Sequence, residues 1–469
     1  MLAAIPVADR SARMEMALAS AYDQLKDTKN AIAAYRRALA QDSDDLNIKR
    51  GLASALLIDG QLDEAQKLYI AILAEEPQDA QSQIRLSETQ RRQGHYDQAL
   101  ETLEKAKPQA PDSMELSYNE ALLYDALGRY DDAISLLKKV LEDTAHSDGK
   151  YTDQEKGNRA IFLDRLGIIY REQNKTEDAV KAYKQMLDLG DDNARSGYQG
   201  QVDAYRDAHQ WKEATAASAE AAKAMPKDHM VQLAYAGQLA DTGEVETGLA
   251  LAKSQLTGTK DDREVYLSLA QIYTRLKRFD DARSALDNAE KFTSKPDDRL
   301  YLYFMRGVLA DRQKQYDESE IEFRKALAID PQNATILNYL GYSFADRGVK
   351  LDEALKMVQK AVELDPQNYA YLDSLGWAYF KLGQYALAEE NIRKANERGG
   401  NDPTIHDHLG EIYARTGKLK QAVDQWERSL AEYARSLPAD ADPEDVAKVQ
   451  HKLENARVKL AKLNSTTVK

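Results

Sequence analysis

The sequence predicts an all-α protein, a stack of about twelve two-helix units closed by a C-terminal capping helix. Three observations carry that expectation. Ala, Leu, Glu, Lys, Gln and Arg dominate the 469 residues, against only 23 Gly and 11 Pro, and those six are strong helix formers. A small residue recurs in similar surroundings at Ala19, Ala53, Ser87, Ala121, Gly167, Val202, Ala236, Ala270, Gly307, Gly341, Gly376 and Gly410. The separations are 34, 34, 34, 46, 35, 34, 34, 37, 34, 35 and 34 residues, with Val202 the one bulkier member. Around each, large and small residues repeat at offsets of three and four, which places them on one helical face.

Within a unit the elements follow in order. The small residue sits on a first helix, followed three positions later by a large one such as Tyr22, Leu56, Tyr124 or Tyr379. A Gly then ends that helix in many units (Gly60, Gly94, Gly128, Gly243, Gly383, Gly417), as a left-handed cap does. About twelve residues past the small one comes Ala on the second helix, as at Ala31, Ala65, Ala99, Ala179, Ala388 and Ala422. Pairs such as Tyr35/Ala38, Phe323/Ala326 and Ile392/Ala395 continue the inner face. Pro or a capping residue closes the unit, as in DPQN at 330–333 and 365–368. Two helices cross closely where one presents Gly or Ala and the other inserts Leu, Tyr or Phe. The stretch YLDSLGWAYFKLGQY at 371–385 therefore reads as packing in its Gly, Leu and Tyr.

The chain divides into an N-terminal extension (1–11), units one to four (12–141), a polar joint (142–159), units five to eight (160–298), units nine to twelve (299–436) and a capping helix with tail (437–469). The joint lengthens the flanking helices or forms a loop, and could hinge the two sides. A smaller joint lies at 291–298; the unit 229–262 is degenerate, with Gly248 at the usual Ala position; and 334–368 carries one extra residue in its turn. In the last segment Val446, Val449, Leu453, Ala456, Leu460 and Leu463 form a one-sided stripe. A solenoid cap explains it better than a coiled-coil dimer, because the stripe is short and interrupted by Ala.

Other classes fall away. Acidic residues outnumber basic ones by 78 to 64, giving a net charge of −14, a field that repels nucleic acid. There is no Cys, hence no disulfide, thiolate metal site or thiol catalysis. No run reaches the ~18 apolar residues of a membrane span. The first residues lack the charged start and apolar core of a signal peptide, so an exported form would have lost its targeting segment upstream. His406 and His408, in the run HDH, point to nearly opposite sides of a helix and cannot chelate one ion. Ser374 beside Asp373 has no His or Lys placed by sequence to activate it, and no phosphate-binding Gly loop occurs. The expectation is a noncatalytic protein without cofactor or metal.

The ordered small residue, Tyr, turn Gly, Ala, aromatic, Ala and Pro resembles the tetratricopeptide repeat over residues 12 to 436. The resemblance implies a right-handed superhelical solenoid whose first helices line a concave groove through their second, fifth, ninth, twelfth and thirteenth positions. Counting each small residue as eighth, the last four units then offer Tyr301 and Phe304, then Asn338 and Tyr342, then Asp373, Trp377, Phe380 and Lys381, then Glu411 and Arg415. Tyr301, Phe304, Tyr342, Trp377 and Phe380 would form an aromatic track for a protein or peptide partner. The alternative is that these rings cover neighbouring helices or a capping segment. The Lys and Asn carboxylate clamp of chaperone-tail binders is absent from the corresponding positions, as at Met16/Ser20 and Arg50/Ser54.

The run 337–430, with LGYSFADRG and LDSLGW, is similar to a bacterial branch of exported or lipid-anchored repeat proteins that includes the adaptor of a carboxyl-terminal processing protease. That resemblance implies an envelope or periplasmic adaptor if an upstream signal has been removed, and a cytoplasmic one otherwise. The expected function is a protein-binding scaffold; the rival expectation is a structural subunit locked permanently into a larger assembly. No motif fixes an oligomeric state.

Overall fold

The structure is a computed structural model and describes residues 5–467. Among the described residues there are twenty-five α-helices, a short 3-10 turn at Val7–Asp9, and no strand. Twenty-four of the helices form twelve hairpins, and the last, Pro443–Thr467, follows them alone. The chain divides into two compact units, residues 1–150 with four hairpins and residues 151–469 with eight. Inside each, a first helix packs on its own second helix and that helix packs on the next hairpin.

Local chemistry sets where the helices begin. Most first helices are capped by side chains from the links: Asp45 accepts from Asn47 and Ile48 backbone N–H, Asn333 from Ile336, and Asp402 from Thr404. Such oxygens satisfy donors that have no intrahelical partner. Most of the extra length at 142–159 becomes helix. Thr152 and Glu155 make a reciprocal capping box, and the helix they open runs twenty residues, Asp153–Glu172. A short turn link precedes it, held by His146 Nδ1 against the Lys150 carbonyl at 2.7 Å. The end of the 291–298 joint is likewise drawn into a seventeen-residue helix, Pro296–Arg312, with Pro in its first turn, and residues 291–295 remain outside it.

Every hairpin turns through one left-handed residue, and it always lies seven positions past the small residue. Seven units use Gly there (Gly60, Gly94, Gly128, Gly243, Gly348, Gly383, Gly417). The other five place Lys26, Asn174, His209, Lys277 and Lys314 at φ between 56° and 60°. The turn geometry therefore belongs to the repeat and is imposed even where the residue opposes it. In the 334–368 unit the extra residue is absorbed by a second left-handed residue, Lys350.

All twelve small residues are buried. Sixteen positions later, seventeen in the 334–368 unit, stands the side chain that fills the space they leave. A Cβ on Gly307 would lie 2.6 Å from Phe323 Cε1, one on Gly341 2.7 Å from Val358 Cγ1, and one on Gly376 would collide with Ile392. Ser87, the polar member of the series, donates its hydroxyl to the Ala99 carbonyl at 2.7 Å. Past the bulkier Val202 the same position holds a small buried residue, Ser218. In the degenerate unit Gly248 is required: its helix runs so close that a Cβ would collide with the Ala236 carbonyl. The core is a row of local clusters, each shared by adjacent hairpins, as expected of a quasi-one-dimensional stack. The last cluster is sealed by Val449, Leu453 and Ala456 of Pro443–Thr467, packed with Ile405, Leu409 and Trp426. Leu463, at the end of the stripe, is 56% exposed.

Three glycines separate the forces at work. Gly376→Ala is expected to overpack its crossing and lower stability by roughly 1–3 kcal/mol, with Ala388→Leu behaving alike. Gly94 has open space around it but φ 78°, so Gly94→Ala should lose about 1 kcal/mol through backbone strain alone. Gly237 is helical with nothing near its missing Cβ, and Gly237→Ala should raise stability by up to about 1 kcal/mol. Chemical denaturation of the three variants gives the order; equal effects at Gly376 and Gly237 would contradict the assigned crossing.

Candidate functional site

In the last four hairpins the inner wall is tied together across repeats. Trp377, 6% exposed, lies between two parallel rings: His408 at 3.9 Å and Phe380 at 4.8 Å between centroids. Its indole Nε1 donates to Asp346 Oδ1 at 3.1 Å, Lys381 Nζ lies 4.8 Å over the ring, and that ammonium donates to the Asp346 carbonyl at 2.6 Å. Asp373 is buried and receives His408 Nδ1 at 3.0 Å. Phe304 packs edge-on to Tyr339 at 5.2 Å and touches Phe323. Asn338 is buried, and Glu411 is engaged by Lys452 of the terminal helix at 2.9 Å. Arg415 is exposed. Of the aromatic track, then, Phe304, Trp377 and Phe380 lie within the wall, covering neighbouring helices. Tyr301 is 40% exposed, and half-buried Tyr342 faces a cavity.

His408 shows how such a wall is stabilised. Burial pushes its imidazolium down, but the Asp373 carboxylate, with Asp407 and Asp346 beyond, more than offsets this and holds its pKa above the ordinary value. His406, two residues away, faces elsewhere, with Nδ1 on Gln425 Oε1 at 2.7 Å and Nε2 on the Gly400 carbonyl at 2.8 Å. Ser374 donates to the Ala370 carbonyl one turn back at 2.9 Å, the ordinary bond of a helical serine.

The unit 151–469 also meets itself. The ends of the eleventh and twelfth hairpins, the links after them and the start of the terminal helix reach the turns of the earlier hairpins of that unit. Arg398 pairs with Glu172 at 2.8 Å; Asn401 donates to Asn174 Oδ1 at 2.7 Å and to the Asp207 carbonyl at 3.1 Å. Trp211 Nε1 donates to the Arg435 carbonyl at 2.9 Å, and His209 Nε2 approaches Glu432 at 3.1 Å. Further along, Asp440 meets Arg275 at 3.0 Å, Asp442 meets Lys277 at 2.8 Å, and Glu444 meets Lys314 at 3.2 Å. This closure borders a half-open cavity of about 760 Å³ whose lining includes Arg171, Arg312, Tyr342, Tyr369, Asp402 and Tyr433.

Beside it runs a groove along the fifth to ninth first helices, formed by two connected hollows of about 450 and 400 Å³ that share Gln199, Val202, Asp203, Ser218, Met230 and Ala234. Its lining falls at the same second, fifth, ninth and thirteenth positions: Met230, Leu233, Gly237 and Asp241 in one unit, Glu264, Leu267, Gln271 and Arg275 in the next, then Tyr301. Met230 is 53% exposed and Gly237 leaves open space. The sequence signal for a site is a run of large aromatics, which this small-residue stretch in a degenerate unit lacks. Applying the position rule to units 195–228, 229–262 and 263–299 would have found it.

Family models described as tetratricopeptide repeat match residues 24–87, 56–117 and 90–152, then 163–195, 264–295 and 300–333, then 341–403 and 374–442. The chain is 25% identical over 299 residues to cellulose synthase operon protein C of Xanthomonas axonopodis pv. citri (strain 306), an alignment covering 60% of this chain. It spans 19% of that relative's length. Among solved structures, yeast Tom70 aligns at 16% identity and TM-score 0.45, covering 96% of each chain. The APC/C hetero-tetramer Cut9-Hcn1 aligns at 13% identity and TM-score 0.42, covering 96% of this chain and 97% of the other.

The Asp373–His408 pair gives a pH prediction. A histidine whose folded pKa is raised contributes stability that is complete below its unfolded value, about 6.5, and lost as pH rises through the folded value. Unfolding of the wild type should become easier across that rise, and His408→Gln should remove this part of the dependence. Parallel pH profiles for the two proteins would show the pair to be unimportant.

Proposed function

The chain belongs to the tetratricopeptide-repeat family, and on that premise we propose that it is a noncatalytic scaffold holding a segment of another polypeptide in the groove of its fifth to ninth repeats. The observation that carries this reading is the groove itself. Its walls use the positions through which repeats of this family face inward, and they leave Met230 and Tyr301 uncovered. In the tenth to twelfth hairpins, by contrast, Asp346, Trp377 and His408 are engaged with one another. Rigid small units in series suit an extended partner, with apolar contacts along the floor supplying affinity and flanking charges fixing register.

The finer assignment is an adaptor of the bacterial envelope. It is supported by the runs LGYSFADRG and LDSLGW in the C-terminal third.

Gly237→Trp places a large ring in open groove space without touching the core. Together with Tyr301→Ala it should reduce partner capture in cross-linking purification from source cells at least about tenfold, the loss of one well-packed contact. Helix content should stay unchanged and the melting temperature should not fall. Full capture by a folded Gly237→Trp variant would exclude this groove.

A further inference from the structure

In the unit 151–469 the left-handed turn position holds Gly in four hairpins and a bulkier residue in four others, Asn174, His209, Lys277 and Lys314. All four of the latter contact the C-terminal links or the helix ends that flank them: Asn174 with Asn401, His209 with Glu432, Lys277 with Asp442 and Lys314 with Glu444. A non-glycine residue is strained at such a φ, and at these four positions the side chain gains a contact that Gly could not make. We propose that these four turn residues, with Arg275, form a releasable clasp that the chain's own C-terminal links fasten, closing the fifth to twelfth repeats around the central cavity.

The clasp has two rows of different character. The first row holds Arg398–Glu172 and His209–Glu432, with Arg398 8% and His209 10% exposed in their side chains, flanked by the more open contacts of Asn401 with Asn174 and of Trp211 with the Arg435 carbonyl. The second row is wetter. Asp440 and Asp442 on the link and Glu444 in the first turn of the terminal helix alternate along the chain, and each meets a different base, Arg275, Lys277 and Lys314. Lys314 and Glu444 are both about 70% exposed. Exposed pairs are individually weak and screened by salt, so the second row sets how readily the ring opens while the first sets its register. Buried Leu437 anchors the start of the acidic link, its carbonyl accepting the Asp440 N–H at 2.9 Å. An acidic segment of a partner would compete with the link for the same bases.

The absence of Cys makes a direct test simple. Spin labels on Glu213→Cys and Glu397→Cys, both exposed and outside the clasp, report the separation of its two sides by pulsed electron resonance. One short separation is expected for the wild type. Arg275→Glu/Lys277→Glu/Lys314→Glu should increase the population of a longer one roughly tenfold, as should about 1 M salt, where screening acts over about 3 Å. Adding Asp440→Lys/Asp442→Lys/Glu444→Lys should restore the short separation. A second variant avoids charge reversal and relieves strain instead: Asn174→Gly/His209→Gly/Lys277→Gly/Lys314→Gly should fold at least as well and still open. A short separation that persists in the glycine variant, or in folded charge-reversed protein at high salt, overturns the proposal.

Discussion

The structure depends on one steric constraint, that two helices of a hairpin can approach only where a small side chain meets a large one. The partners stand sixteen residues apart, and their sizes are complementary: Gly307 with Phe323, Gly376 with Ile392, Gly410 with Trp426. Where the first partner grows, as at Val202, the second shrinks to Ser218. Where both are small, as at Ala236 and Ala252, Gly248 lets the helices close further. The hairpin is the invariant, and the side chains adjust around it.

This is why the fold was legible from residue spacing. Helix periodicity and hairpin closure are local, so a single chain repeats the information about twelve times. The left-handed turn was only half legible. Gly marked it in most units, but Lys277 and Lys314 hid it in others, because a long polar side chain gives no sign of the backbone it sits on. The 46-residue spacing was ambiguous between loop and helix. Thr152 and Glu155 resolved it, and their three-residue separation is itself a readable capping signal.

The site was less legible because the inner wall has two uses for the same positions. An aromatic at the ninth position can face a partner or bridge to the next repeat, and Trp377 bridges, since Asp346 and His408 arrive one repeat to either side. The sequence separates those contacts by thirty-one residues in each direction, a distance at which no local pattern announces them. Tyr301, with nothing comparable over it, stays 40% exposed. The self-closure of the unit 151–469 was invisible for the same reason, joining residues more than two hundred positions apart.

That closure has a kinetic consequence. Hairpins form from neighbours in the chain and can nucleate independently, whereas the Glu172–Arg398 contact closes a loop of 226 residues. Loop entropy grows only slowly with length, so the delay comes from the order of events. The ends cannot meet until every intervening hairpin has set its share of the curvature. Ring formation is therefore the last step of maturation, and during synthesis the nascent chain exposes its inner surface to the surroundings until the C-terminal links emerge.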